Sequence, residues 1–213
     1  MTRSEPYHHA NLRQTLLDAA VALTGEVGPR AFTLREVARR AGVSHNAPYR
    51  HFAGKDDLLA AVAAEGFDRL TASMRKSMAR ASSPRERLRE CGCGYVAFAL
   101  RWPQHFLVMF DLPHALGGQD QHSAGQNAFA VLLECITAAQ QSGDLPAGDP
   151  LPLAWIAWSF VHGIAKLAIS GNLPLSARST IEFTRRATLT IFGGMNIALS
   201  GAGACKRGSL LPR

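Results

Sequence analysis

Helical periodicity from end to end, interrupted mainly by glycine, proline and serine, most limits the folds open to this chain. Apolar residues recur at spacings of three and four, and no segment shows the sustained alternation or paired turn signals of β-strands. The expectation is an all-α protein of about nine helices. In the first, Leu12, Leu16, Ala20, Leu23 and Val27 share a face that ends near Gly28-Pro29. The second opens on Thr33-Leu34-Arg35-Glu36, a capping box in which hydroxyl and carboxylate satisfy reciprocal orphan amides, and Gly42 stops it. Leu34, Val37, Ala38 and Ala41 supply its buried face, and Ser44 is expected to cap a short third helix. A long fourth covers about 56–80. Ser83, Pro84 and Glu86 then start a fifth, and Pro103 forces a break before an aromatic-rich sixth over 104–110. Beyond a Gly117-Gly118 loop, a seventh spans about 123–142. Asp149-Pro150 opens an eighth that Gly171 closes, and Ser176 caps a ninth that Gly193-Gly194 bends or ends.

Composition narrows the class. Of 213 residues, 47% are hydrophobic and 18% charged, the balance of a packed globular protein rather than a disordered one. The net charge of +7 favours polyanionic partners, and residues 1–55 hold eight Lys or Arg against four acids, so basic density concentrates at the N-terminus. Cys91, Cys93, Cys135 and Cys205 lack metal or disulfide-framework spacing, and the polar N-terminus lacks the apolar core of a secretory signal, so a reducing cytoplasm is the expectation. Residues 151–169 approach the length needed to cross a bilayer, but His162 and Lys166 interrupt them, so they read as a buried helix with no membrane role. Cys91 and Cys93 point about 200° apart on a helix and read as packing residues. His114, Asp120 and His122 share a loop without ligand spacing. Neither a metal nor a cofactor is expected.

Two short helices joined by Ala41-Gly42-Val43-Ser44 form a helix-turn-helix pattern, in which the second helix enters the major groove of double-stranded DNA. Ser44, His45, Asn46 and Ala47 begin that second helix, where polar side chains reach base edges and Asn can pair with adenine. Tyr49, Arg50 and His51 lie where side chains grip phosphates. Thr33 and Arg35 at the first helix, and Lys55 at the start of the fourth, complete the candidate set. Pro48 falls inside the reading helix and points to a short or displaced one, since proline is accepted only in a first turn.

The string from Phe32 to Phe52, with Lys55-Asp56-Asp57-Leu58-Leu59, resembles the tetracycline-repressor (TetR) family of regulators. The Gly42-Val43-Ser44 turn, Tyr49, the His51-Phe52 pair and Lys55 carry the likeness. Residues 95–111 and 155–166 look like a subset named for a Trp-His-Gly signature, which reads Val161-His162-Gly163 here. The resemblance implies a helix-turn-helix domain (10–56, paired helices 33–52), a C-terminal effector-binding and dimerisation domain (57–200) and a tail (201–213). It also implies a small-molecule effector pocket, with candidate lining residues Cys91, Tyr95, Phe98, Trp102, Phe106, Met109, Phe110, Phe129, Trp155, Trp158 and His162, which suit a largely apolar ligand. The eighth helix is apolar nearly all round, so something must cover its second face. The resemblance implies a twofold homodimer through the eighth and ninth helices, with Ala154, Ala157, Val161, Phe183, Ala187 and Ile191 at the interface. The function so implied is a ligand-responsive repressor on a palindromic operator. The alternatives are a ligand-independent DNA-binding activator, or a helical carrier or enzyme with an incidental hairpin. No phosphate-binding loop, nucleophile elbow, zinc-protease motif or dinucleotide fingerprint occurs, which argues against an enzyme.

Overall fold

The computed structural model describes the backbone of residues 9–111 and 119–201 and the side chains of 12–111 and 121–193. Among these residues the chain is all-α, with eight helices and no strand. They are α1 (His9–Val27), α2 (Leu34–Arg40), α3 (Lys55–Met78), α4 (Pro84–Arg101), α5 (Pro103–Asp111), α6 (Gln119–Gln141), α7 (Pro150–Ile169) and α8 (Ala177–Gly201). The expected third helix is a single 3-10 turn, Pro48–Arg50. The expected break at Gly193-Gly194 is absent, and α8 continues to Gly201. Glycine weakens a helix by about 1 kcal/mol but keeps both ladder groups, so it need not end one. The Gly117-Gly118 loop, His114, Cys205 and the tail beyond Gly201 lie outside the described residues.

Local chemistry sets the helix starts. The Thr33 backbone amide donates to Glu36 Oε2 at 2.7 Å while the Glu36 amide donates to Thr33 Oγ1 at 3.3 Å, closing the capping box. At α4 the box is shared by two serines: the Glu86 amide donates to Ser83 Oγ, and the Ser82 amide donates to the Glu86 carboxylate. Asp149 caps α7, accepting from the Leu151 amide at 3.0 Å, with Pro150 in the first turn.

Two compact units emerge. One joins Met1–Ser73 with Phe98–Ala130, and the other joins Met74–Ala97 with Val131–Arg213. The chain passes from one unit to the other within α3, α4 and α6. In the first unit Leu16, Val37, Phe52, Leu58, Val62 and Phe106 are almost wholly buried. In the second, Val96, Val131, Ile136, Ala154 and Ala165 are fully buried. Burial of an aliphatic or aromatic side chain is worth about 1.5–3 kcal/mol, so these positions anchor each unit.

The phase of α7 corrects the sequence expectation. Ala154, Ala157 and Val161, expected to face a partner copy, turn into their own unit, where a Cβ on Gly92 would come within 3.1 Å of Val161 Cγ1. The exposed apolar stripe is instead Leu151, Trp155, Ile156 and Leu167. On α8 the buried row is Thr180, Thr184, Thr188 and Phe192, and each threonine hydroxyl donates to the carbonyl four residues earlier at 2.7–2.9 Å. That satisfies buried hydroxyls without a partner helix. Phe183 is left exposed, with Ala187 and Ile191 half-buried beside it in register.

Candidate functional site

Past α2 the backbone makes two consecutive turns in place of a regular reading helix. Gly42 takes a φ of 69°, which reverses the chain after α2 and which a β-carbon would resist. The Ala47 amide then donates to the Ser44 carbonyl at 2.9 Å, and the His51 and Phe52 amides both donate to the Pro48 carbonyl at 2.9 and 3.0 Å. Ser44 therefore makes a turn through its backbone, and the structure shows no side-chain cap on the segment that follows. Pro48 occupies the first position of the 3-10 turn, where its missing N–H leaves no bond unmade, and its ring is buried. The displaced start expected from Pro48 is what the backbone adopts.

This geometry sorts the candidates. Ser44, His45, Asn46, Tyr49 and Arg50 are exposed, Tyr49 at 55%, while Ala47 and His51 are half-buried. Tyr49 and Arg50 thus leave a hydroxyl and a guanidinium exposed on one tight turn, groups of the kind that hold phosphate oxygens. Arg35 and Arg39 are also exposed on α2. Arg40 is occupied: its guanidinium pairs with Glu26 at 2.6 Å, which ties the end of α2 to α1, raises Arg40 and lowers Glu26 by mutual hydrogen bonding. Thr33 is exposed, but its hydroxyl donates to Glu36 Oε2 at 2.8 Å, so it serves first as a cap.

Lys55 is drawn inward. Its ammonium donates to the carbonyls of Arg30 and Phe32, both at 2.8 Å, and lies 4.9 Å from the Phe32 ring centre. A cation is disfavoured at a helix N-terminus, so two charge-assisted bonds to carbonyl oxygens explain its place there. Lys55 thus clamps the Gly28–Phe32 connection to the first turn of α3.

Of the candidate effector residues, Phe98, Trp102, Phe106, Met109, Phe110 and Phe129 belong to the first unit, and Cys91, Tyr95, Trp155, Trp158 and His162 to the second. In the first, the Phe106 and Phe110 rings meet at a tilt of 56° with centres 4.9 Å apart, Phe67 meets Phe110 edge-on at 5.7 Å, and Trp102 lies beneath the Arg69 guanidinium at 5.5 Å. In the second, Tyr95 Oη accepts from Trp158 Nε1 at 3.2 Å and shares a hydrogen bond with His162 Nδ1 at 2.9 Å. Burial raises the Tyr95 phenol well above its ordinary range, with the Trp158 hydrogen bond working weakly the other way. It stays a neutral phenol. Trp155 is set apart, 56% exposed on the outer stripe of α7, and does not join this cluster.

One buried group escaped the sequence reading. His105 on α5 is 5% exposed, and neither ring nitrogen has a hydrogen-bond partner among the described residues. Its Nε2 is 3.7 Å from Glu65 Oε2, an ion-pair separation rather than a hydrogen bond. Burial lowers His105, as does the nearby Arg69, with Glu65 opposing. For Glu65, burial pushes the carboxyl up, but Arg69 outweighs it and leaves it below its usual value. Glu65 and Arg69 sit on α3 and His105 on α5, so no local spacing could have announced the trio.

Comparisons with known proteins agree with this architecture. Residues 16–62 match the family described as bacterial regulatory proteins, tetR family, and residues 88–191 match the tetracyclin repressor-like C-terminal domain. The regulator BetI of Rhizobium meliloti (strain 1021), an HTH-type transcriptional regulator, is 37% identical over 76 residues, which is 36% of this chain and 37% of that protein. The match to this curated relative thus spans little more than a third of its length. A solved protein of unknown function from Rhodococcus sp. RHA1 is 34% identical, with a TM-score of 0.76 over 90% of this chain and 99% of its own. The transcriptional regulator FadR from Bacillus subtilis, solved in complex with stearoyl-CoA, shares the fold at 16% identity, with a TM-score of 0.71 over 82% of this chain and 96% of its own.

Proposed function

The chain belongs to the tetracycline-repressor family and is a DNA-binding transcriptional regulator, not an enzyme; we propose that it is a cytoplasmic, ligand-released repressor that holds a palindromic operator as a homodimer. The observation that carries this reading is the surface formed by Ser44, His45, Asn46, Tyr49 and Arg50, polar side chains exposed together on two tight turns. A single such surface touches too few bases for specificity. Two of them about 34–36 Å apart read successive major grooves on one face of the duplex.

The exposed stripes on α7 and α8 support the dimer. Leu151, Trp155, Ile156 and Leu167 on one helix and Phe183 on the other leave apolar surface uncovered in a single copy. At Gly163 and Gly193 a β-carbon would meet nothing within 4 Å, so another helix could approach there closely. In this reading the effector binds by the Tyr95–Trp158–His162 group, whose part-buried polar atoms would orient a mostly apolar molecule. FadR from Bacillus subtilis, of the same fold, was solved with a long-chain acyl thioester, a precedent for such a molecule. Binding would favour a spacing of the two reading surfaces that no longer fits the operator.

The test is selection of bound sites from random duplexes, followed by a screen for small molecules that release the protein from the winner. Recovery of an inverted repeat, and a compound whose effect is lost in Tyr95→Phe, is the expected result. A direct repeat or a lone half-site would overturn the homodimer. A probe shift indifferent to every ligand, with increased transcription from the site, would replace the repressor by a ligand-independent activator.

A further inference from the structure

Four buried sulfur atoms converge in the second unit. Met74 and Met78, one turn apart on α3, project from the same face. Cys91 Sγ on α4 contacts Met74 Sδ at 3.7 Å, and Cys135 Sγ on α6 contacts Met78 Sδ at 3.3 Å. Met74 and Met78, four residues apart on one face of α3, bring both pairs together. All four residues are at most 4% exposed. We propose that Cys91, Cys135, Met74 and Met78 form a binding site for a monovalent, thiophilic cation, of which Cu(I) is the natural case. The proposal concerns metal binding alone and stands independently of the operator, repressor and effector readings.

Geometry and ligand chemistry carry it. A tetrahedron with metal–sulfur bonds of about 2.3 Å has edges of about 3.8 Å, so the two contacts lie close to the spacing of ligands already gathered round a metal. Thiolate and thioether donors select soft ions, and an all-sulfur set with two thioethers suits Cu(I) better than Zn(II), which takes thiolate, imidazole and carboxylate. Among the described residues no three His, Cys, Asp or Glu side chains gather as a metal group, so a harder ion has no competing site there.

Charge balance is simple. Cu(I) displaces the protons of two thiols, giving a bis-thiolate complex of charge −1 and two released protons, with no change in oxidation state. Cys93, 2% exposed but turned elsewhere on α4, takes no part in the cluster.

The experiment uses the reduced full chain under nitrogen, with ascorbate to hold copper as Cu(I) and a coloured Cu(I) chelator as competitor. About one equivalent should be withdrawn from the chelator, with up to about two protons released per ion. Cys91→Ala and Cys135→Ala should each weaken binding by about 100-fold or more, and Met74→Leu with Met78→Leu by about 10-fold. Cys93→Ser and Cys205→Ser should bind like the parent. The methionine pair is nearly volume-conserving, so it reports on a folded chain even if a cysteine variant does not fold. Failure of the parent to compete, undiminished binding in Cys135→Ala, or equal loss in Cys93→Ser would overturn the site.

Discussion

Replacing Lys55 with methionine separates two roles that a lysine at this helix start could have. If the ammonium clamps the chain, as its bonds to the Arg30 and Phe32 carbonyls indicate, the loss is conformational. Each charge-assisted bond is worth about 1.5–3 kcal/mol net, but this site is partly exposed and water can re-solvate the carbonyls. The two bonds together are then worth about 2 kcal/mol, and the ring contact with Phe32 adds roughly 0.5. For a chain of this size, about 2 kcal/mol lowers the melting temperature by roughly 4–8 °C. DNA affinity should fall because the 28–32 connection loosens, yet the slope of log K against log salt should change by less than about half a unit per subunit. A true phosphate contact would remove about 0.9. Arg50→Gln is the comparator, since Arg50 is exposed on the turn, and it should flatten the slope by about 0.9 per subunit with little change in melting. Calorimetry and fluorescence anisotropy at several salt concentrations read both quantities. A Lys55→Met variant that melts like the parent but loses a full unit of slope would refute the clamp.

The remaining predictions concern packing and titration. Gly66→Ala should cost about 1–3 kcal/mol by denaturant unfolding, because the new Cβ would meet Met109 Sδ at 2.5 Å and Cγ at 2.9 Å inside a closed core, and its loss should be smaller when made in a Met109→Ala background than in the parent. His105 has a depressed folded pKa, so it favours the native state above the unfolded value of about 6.5, and that stability is lost as pH falls. His105→Met should remove this acid sensitivity, which sets in as pH falls below about 6.5, and gain about 1 kcal/mol by deleting two buried ring nitrogens that make no hydrogen bond; a steeper pH dependence in the variant would contradict it. Glu90 accepts from Arg185 Nε and Nη2 at 2.9 and 3.0 Å, which lowers its carboxyl. Glu90→Gln should therefore cost about 1 kcal/mol at neutral pH, and the difference from the parent should vanish as pH falls through the carboxylate range below about 4.5.

What could be read from the sequence was local. The Thr33–Glu36 box, the Asp149 cap and the proline starts of α4, α5 and α7 depend on residues within one turn of each other, and each occurs where the spacing places it. Pro48 was informative for the same reason: a missing N–H has a consequence no neighbour can cancel, and the reading segment shifts to put that residue in a first turn. The failures share the opposite character. His105 with Glu65, and Cys91 and Cys135 with Met74 and Met78, are meetings between helices, and periodicity within one helix carries no information about which neighbour its face meets. The error on α7 is the instructive case. The resemblance implies that Ala154, Ala157 and Val161 face a partner. They pack instead in a core where Val161 Cγ1 lies 3.1 Å from a β-carbon built on Gly92. Large Trp155 and Ile156 point outward, at 56% and 49% exposure. A helix that is apolar on both sides has no phase in its sequence, because period 3.6 marks a buried face only by contrast with a polar one. Packing alone decides which side is turned in, and an interface implied by resemblance can therefore be rotated by half a turn.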